Sequence, residues 1–413
     1  MARIVLITPY FWPEIAANVP LMKDLCEDLT IYGHSVVVIT SFPSKKIYSK
    51  EKIKSFEFTQ DKNIKNRIIV LRHFNPFSRK LGFIMKVLEY ITFCFWSIYD
   101  SLKYIWNADI IFVYSNPPLI ALPISFFKLI KKISIIYNIQ DLFPNSAVGV
   151  GMIKKDFLIK ILRYLEKITY EKIDVAAVIC EHFAEHVKKI SQKTRIEIIS
   201  NWVDIDNIKY VPPIYNELFN ELNLTGKFVV SYAGNIGYAQ NIDIVVDAAY
   251  QLRDFKNIKF VIIGEGQYEN NIKRRIKMAG IDNLIMTHMR PIEMVSKVYS
   301  IADVSLVTTR KGLGYSAVPS KTWTIMACGR PIIACIDEES ELGKILIRNN
   351  LGLVVPPDNP NKLADAILML YKNESLRKKL SNNERLYVER HLSRKMLTKK
   401  YDFLIKEMVK KMK

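Results

Sequence analysis

VPSKTWTIMACGRPIIA, residues 318–334, is the stretch whose reading decides the fold. A Pro-Ser-Lys entry leads into mostly apolar residues, then Cys-Gly-Arg-Pro and a β-branched run. That order spells a turn, a short helix, a glycine stop and a buried strand. A helix N-terminus presents unpaired N–H groups and a partial positive charge, so it suits an anion, and Lys321 strengthens that preference. The plainer alternative is that Ser320 caps the helix and Lys321 is solvated.

The same alternation extends outward in both directions. RIVLITP (3–9), SVVVIT (35–40), RIIVLR (67–72), ADIIFVY (108–114), ISIIYNI (133–139), DVAAVI (174–179) and RIEIIS (195–200) read as strands. Most are separated by helical segments, the first starting near Ala17. The pattern breaks at the Asn/Asp/Pro-rich NWVDIDNIKYVPP (201–213) and restarts with FVVSYAG (228–234), IKFVIIGEG (258–266), NLIMT (283–287), DVSLVTT (303–309), RPIIAC (330–335) and GLVV (352–355). Strands alternating with helices predict parallel sheets covered on both faces. The chain is therefore expected to be α/β, with two consecutive doubly wound, Rossmann-like domains. Their spans are 1–205, joined by a returning C-terminal helix at about 390–413, and 206–389. Charged helices follow from about Pro360.

With 413 residues the chain is too long for one core and suits two. No window approaches the roughly 20 apolar residues of a membrane span, and the N-terminus enters a strand without the basic and apolar regions of a signal peptide. Five cysteines (26, 94, 180, 328, 335) form no C-x-x-C pair, which points to reduced thiols in a cytoplasmic setting. The net charge of +19 is local: residues 43–103 hold 13 Lys/Arg against 5 Asp/Glu and residues 372–413 hold 14 against 5, whereas residues 201–371 balance at 18 against 18.

Ligands of doubly wound sheets bind at the carboxyl ends of the strands. Three loops of the second half fall there: YAGNIGYAQN (232–241), IIGEGQYEN (262–270) and the opening stretch. Each alone is a weak signal, because Gly-x-Gly after a strand is commonly a tight turn. Together with Lys321 they suit a phosphate-bearing ligand.

YAGNIG…QNID, VIIGEG, ADVSLV and PSKTWTIMACGRPIIA, preceded by TPYFWPEIAAN, GHSVVVIT, IQDLFPNSAVGVG and ISNWVD, resemble the retaining glycosyltransferases of family 4. The resemblance spans nearly the whole chain and implies the GT-B fold, with two Rossmann-like domains facing a central cleft. The Gln-Asp-Leu-Phe-Pro-Asn-Ser and Pro-Ser-Lys variants resemble the branch that builds O-antigen and colanic-acid repeat units, which includes L-N-acetylfucosaminyl transferases. The implied activity moves an N-acetylated sugar from a UDP-sugar to a polyprenyl-diphosphate-linked acceptor, without a bound metal or other cofactor. The implied donor site comprises Gly234, Asn235, Gly237, Gln240, Gly264, Glu265, Gly266, Arg290, Ser320, Lys321 and Thr324.

The chain also departs from the family. Asn235 and Gln240 stand where an Arg and a Lys hold the diphosphate, and two family glutamates fall on Ser316 and Thr324. Positive charge is thus expected from Lys321, with Arg310 and Lys311 behind it. Front-face attack needs no strong protein base. Asp141 is expected to orient the acceptor hydroxyl or to cap the turn before Pro144, and Glu14 and Asn18 to meet the acceptor. His182 and His186, four apart on a helix, lack a third metal ligand, and His34 reads as a turn residue.

LGFIMKVLEYITFCFWSIYDSLKYIW (81–106), with Arg79, Lys80 and Lys86 at its front, reads either as a core helix or as an interfacial one. The basic flank favours the second, with Phe93, Phe95 and Trp96 entering an anionic membrane surface on the cytoplasmic side. The two basic regions are expected to form one cationic face there. Nucleic acid is not expected, because the aromatics are not interleaved with the charges. The rival functions are a nucleotide-sugar 2-epimerase of the same fold and a degenerate, non-catalytic homologue at the membrane.

Overall fold

A computed structural model describes the chain except residues 17, 44–55, 61–66, 78–82, 150, 316–317 and 413. Arg79, Lys80 and Ser316 therefore lie outside the described residues, as does the side chain of Lys86. The chain divides into two compact units, Met1–Asn201 with Arg394–Lys413, and Trp202–Ser393.

In the first unit the β-branched runs form β1 (Arg3–Ile7), β2 (Ser35–Ser41), β3 (Phe56–Gln60), β4 (Arg67–His73), β5 (Ile110–Tyr114), β6 (Ser134–Ile139), β7 (Val175–Val178) and β8 (Arg195–Ile198). Among the described residues they make one sheet in the order β3-β4-β2-β1-β5-β6-β7-β8. Every pairing is parallel except β3 with β4. The central strands are buried on both faces, as in β5, where Ile110, Ile111, Phe112 and Val113 are inaccessible; helices on both sides require this. Strand β3 is not among the expected strands. FEFTQ is a five-residue edge hairpin partner set in basic sequence, so its composition hides it.

The C-terminal helix Arg394–Met412 returns to this unit and packs on the helix Val19–Ile31. Arg394 reaches Asp24 and Asp28 at 2.8 Å and Glu27 at 3.0 Å. Arg195 pairs with Glu407 at 2.7 Å. The Ala2 amide donates to His34 Nδ1 (3.1 Å), so Nε2 carries the ring proton and donates to Asp402 Oδ1 (2.9 Å). His34 thus anchors the returning helix as well as closing a turn. The second basic region is shared between the units: residues 372–393 fold with the other one, where the helix Glu374–His391 packs on Lys321–Ala327. Several cations of the return helix are already paired.

The aromatic segment is the helix Phe83–Tyr104, followed by one tight turn. Phe93 is only 3% exposed, so its expected role at a membrane is overturned: helical spacing points it into the core. Trp96 is half-buried, stacked on His73 with ring centres 4.5 Å apart. Phe95 faces outward and is 60% exposed. No described helix is long and apolar enough to cross a membrane.

The second unit holds β9 (Phe228–Ala233), β10 (Ile258–Ile263), β11 (Leu284–Thr287), β12 (Val304–Thr308), β13 (Ile332–Cys335) and β14 (Gly352–Val355). Among the described residues these pair in parallel in the order β11-β10-β9-β12-β13-β14. The opening stretch supplies the helix Lys321–Ala327, a stop at Gly329 (φ +57°) and β13. The winding direction reverses between β9 and β12, which opens a crevice at their carboxyl ends.

Candidate functional site

The crevice of the second unit is framed by the loops after β9 and β10, which lock together through their backbones. The Gly234 amide donates to Ile263 O (2.9 Å), the Ile236 amide to Glu265 O (2.8 Å), and the Tyr268 amide to Ile236 O (3.0 Å). This closeness explains two glycines. A Cβ on Gly264 would lie 2.0 Å from Gly234 O, and one on Gly266 would lie 2.2 Å from Ile236 O. Gly234 itself has φ +139°, which L side chains rarely adopt.

Lys321 comes from the other side of the crevice, as the first residue of its helix. A Cβ on Gly234 would stand 2.8 Å from its Nζ. The Nζ is buried, makes no hydrogen bond among the described residues, and sits 3.8 Å from the centre of the Tyr232 ring. Burial lowers its pKa to about 7. An ammonium with only an aromatic face for company lacks the anion that would compensate its desolvation. Tyr232, buried at the end of β9, also donates its hydroxyl to Asn235 O (2.7 Å) and so supports the loop. Sequence reasoning missed Tyr232 because an aromatic inside a strand reads as core; the signal was its place two residues before Gly234.

The other expected donor residues divide. Asn235 Nδ2 donates to Gln240 Oε1 (3.1 Å) on the rim of the same loop. Glu265 lies 3.9 Å from His288. Ser320 precedes the helix without a side-chain cap bond, and Thr324 is half-buried one turn in. Arg290, after β11, bonds Glu221 and Thr287. Arg310 is corrected as a reserve cation for the diphosphate: its Nε donates to Tyr238 O (2.7 Å), its guanidinium pairs with Asp243 (2.8 Å), and it stacks on the Tyr238 ring. Lys311 stands beside Asp358 at 3.8 Å on the exposed flank.

In the first unit, Asp141 follows β6. Loss of surrounding water raises its pKa, against bonds from the Ser146 hydroxyl and the Leu142 amide. Residues Glu14 and Asn18 do not present groups to an acceptor. Glu14 has no accessible surface, while Asn18 donates its amide hydrogens to Thr8 Oγ1 (3.0 Å) and Tyr10 O (3.1 Å). Both belong to the buried turn after β1. His186 bonds the buried Glu166 (2.8 Å). Among the described residues no group of three or more His, Cys, Asp or Glu side chains could hold a metal ion.

Residues 21–207 match the family described as Glycosyltransferase Family 4 and residues 215–387 that described as Glycosyl transferases group 1. The chain is a group 1, family 4-like glycosyltransferase. It is 27% identical over 263 residues, 63% of its length and 66% of the other's, to a probable glycosyltransferase, WbjE, of Pseudomonas aeruginosa. To the putative colanic acid biosynthesis glycosyl transferase WcaI of Escherichia coli it is 23% identical, over 66% of this chain and 69% of that one. A Campylobacter jejuni N-acetylgalactosaminyltransferase named for a diphospho-undecaprenol-linked substrate is 23% identical over 57% of this chain and 61% of that one. The glycosyltransferase fold is matched by the sucrose-phosphate synthase structure from Thermosynechococcus elongatus (TM-score 0.79, 16% identity, 99% of each chain). It is also matched by Anabaena HepE in complex with UDP and glucose (TM-score 0.70, 12% identity, 98% of this chain and 100% of that one).

Proposed function

We propose that this glycosyltransferase moves a sugar from a UDP-sugar to a lipid-diphosphate-linked acceptor, with retention and without a metal ion, in bacterial surface polysaccharide synthesis. The sugar is N-acetyl-L-fucosamine or a related N-acetylhexosamine. The observation carrying the donor half of this reading is the buried, unpartnered Lys321 ammonium against Gly234 at the reversal of the second sheet. The amine itself supplies the positive charge, and its surroundings leave the negative one to the ligand. The names of the Pseudomonas, Escherichia and Campylobacter relatives support the acceptor half.

In the proposed step the bond from the sugar's anomeric carbon to the β-phosphate oxygen breaks, and its electron pair leaves on the diphosphate. A new bond forms between that carbon and the acceptor oxygen on the same face. The acceptor proton passes to the departing phosphate oxygen. Lys321 neutralises the charge that develops there, an effect of about 3–4 kcal/mol for one well-aimed donor. Asp141 is the carboxylate we assign to orienting the acceptor hydroxyl. The working location that goes with this proposal is the cytoplasmic face of the membrane.

The test is a mass-spectrometric screen of UDP-sugars with a polyprenyl-diphosphate-linked acceptor. Transfer from one UDP-N-acetylhexosamine, lost in Lys321→Ala, is expected. Failure of the folded protein to bind UDP in a calorimetric titration would refute the donor assignment. Conversion of a UDP-sugar without acceptor would instead favour the epimerase.

A further inference from the structure

We infer that the first unit carries a membrane-docking face built from two helices and the turn between them, and that its partner is the surface of an anionic bilayer. This surface serves the lipid-linked acceptor proposed above and rests on that reading for its purpose alone.

The topology places the parts together. Crossovers between parallel strands are right-handed, and β4→β5, β5→β6 and β6→β7 all step the same way along the sheet. Their helices therefore share one face, whereas β1→β2 steps the other way and carries Val19–Ile31 on the opposite face. On the shared face the short helix Ala121–Ser125 touches both Phe83–Tyr104 and Asp156–Lys172. These three segments form a continuous layer.

Its outer side is apolar. Val87, Ile91, Phe95, Tyr99, Leu102 and Trp106 are all exposed, at the three- and four-residue steps that make one helical stripe. Phe126, Leu129 and Ile130 protrude from the turn after Ala121–Ser125, with Leu129 83% exposed. Phe157 (77% exposed), Leu158, Ile161 and Tyr164 stand out on one side of Asp156–Lys172. Exposed apolar surface gathered on one layer of this size marks an interaction site.

Charge identifies the occupant. Lys154, Lys155, Lys160 and Arg163 are exposed beside the last stripe and form no ion pair among the described residues. Lys103 and Lys132 edge the other two segments, Lys103 at 3.6 Å from the buried Asp100, whereas Lys128 there is already paired with Asp174 at 2.8 Å. The acidic residues of the long helices are mostly withdrawn: Glu89, Asp100 and Glu166 are buried, and Asp156 and Glu171 remain outside. Lysines around protruding aliphatic and aromatic side chains, with Tyr and Trp tips among them, match anionic headgroups over acyl chains. This face uses Phe95 of the residues expected from sequence. It replaces the core residue Phe93 and adds a second helix that sequence reading passed over.

The experiment is flotation of the full chain with vesicles of phosphatidylcholine alone or mixed with phosphatidylglycerol, at low and high salt. Binding to the mixed vesicles only, weakened by salt, is expected. Phe157→Asp combined with Leu129→Asp, both fully surface changes, should weaken it on the order of tenfold or more. UDP affinity, measured in parallel, should stay unchanged in that variant. Recovery of the wild type unbound from both vesicle types overturns the inference, as does vesicle binding indifferent to the double substitution. A stable dimer in sedimentation, disrupted by the same substitutions and blind to vesicles, assigns the face to a second copy of the chain instead. Vesicle binding without UDP affinity would leave this surface standing and refute the transferase reading.

Discussion

The amine of Lys321 should make nucleotide binding depend on pH in a calculable way. Burial holds its pKa at about 7 in the free protein, far below the ordinary lysine value of about 10.4. A diphosphate beside it restores the charged form. At pH 7 about half the molecules already carry the proton; at pH 8 about one in ten does, so binding must draw in about 0.9 of a proton. The UDP dissociation constant should then rise about fivefold from pH 7 to 8 and about tenfold over the next pH unit. Titration calorimetry at pH 8 in HEPES and in Tris, buffers of different ionisation enthalpy that do not compete for an anion site, reads this uptake directly. In Lys321→Met the uptake should vanish, and affinity at pH 7 should fall by about 1.5–3 kcal/mol, the scale of a charge-assisted hydrogen bond. The same substitution should raise the melting temperature. A folded-state pKa below the unfolded one means that the unfolded chain binds more protons, so the amine destabilises the fold at neutral pH and less as pH climbs toward about 10.4. Unaltered UDP affinity in a folded Lys321→Met protein, or a dissociation constant flat from pH 7 to 9, would refute the reasoning.

Gly266→Ala forces a methyl group against Ile236 O and should cost about 1–3 kcal/mol of stability, together with UDP binding; a wild-type thermal midpoint would contradict the close packing of the two loops. Burial lowers the His34 pKa despite its bond to Asp402. Stability anchored there should be complete above the ordinary imidazole value of about 6.5 and decline below it. Thermal unfolding from pH 7.5 down to pH 5 checks this, and His34→Gln should flatten the decline. Transfer activity should persist in EDTA, because the proposed counter-charge is a lysine; loss on chelation with recovery in magnesium or manganese would remove that mechanism.

The sequence by itself determined the architecture. Thirteen of the strands were legible because parallel strands buried on both faces must be short β-branched runs, and the turns between them must carry Gly, Asn, Asp or Pro. The loops that frame the crevice of the second unit were legible for the same reason, since a backbone that approaches another backbone leaves room only for glycine at 264 and 266. Strand β3 was not, because an edge pairing is decided by its neighbour β4. Tertiary structure alone decided which polar groups are free. Lys321, Arg310, Glu14 and Asn18 looked alike as polar residues near strand ends. Packing enclosed Glu14, tied Arg310 to Asp243 and Asn18 to Thr8, and left Lys321 with no hydrogen-bond partner among the described residues. The same held for the aromatic helix, where rotation about its axis, set by what the sheet accepts, sent Phe93 inward and Phe95 outward. Whether a side chain is exposed, paired or stranded depends on residues distant in the chain, and no local pattern encodes that.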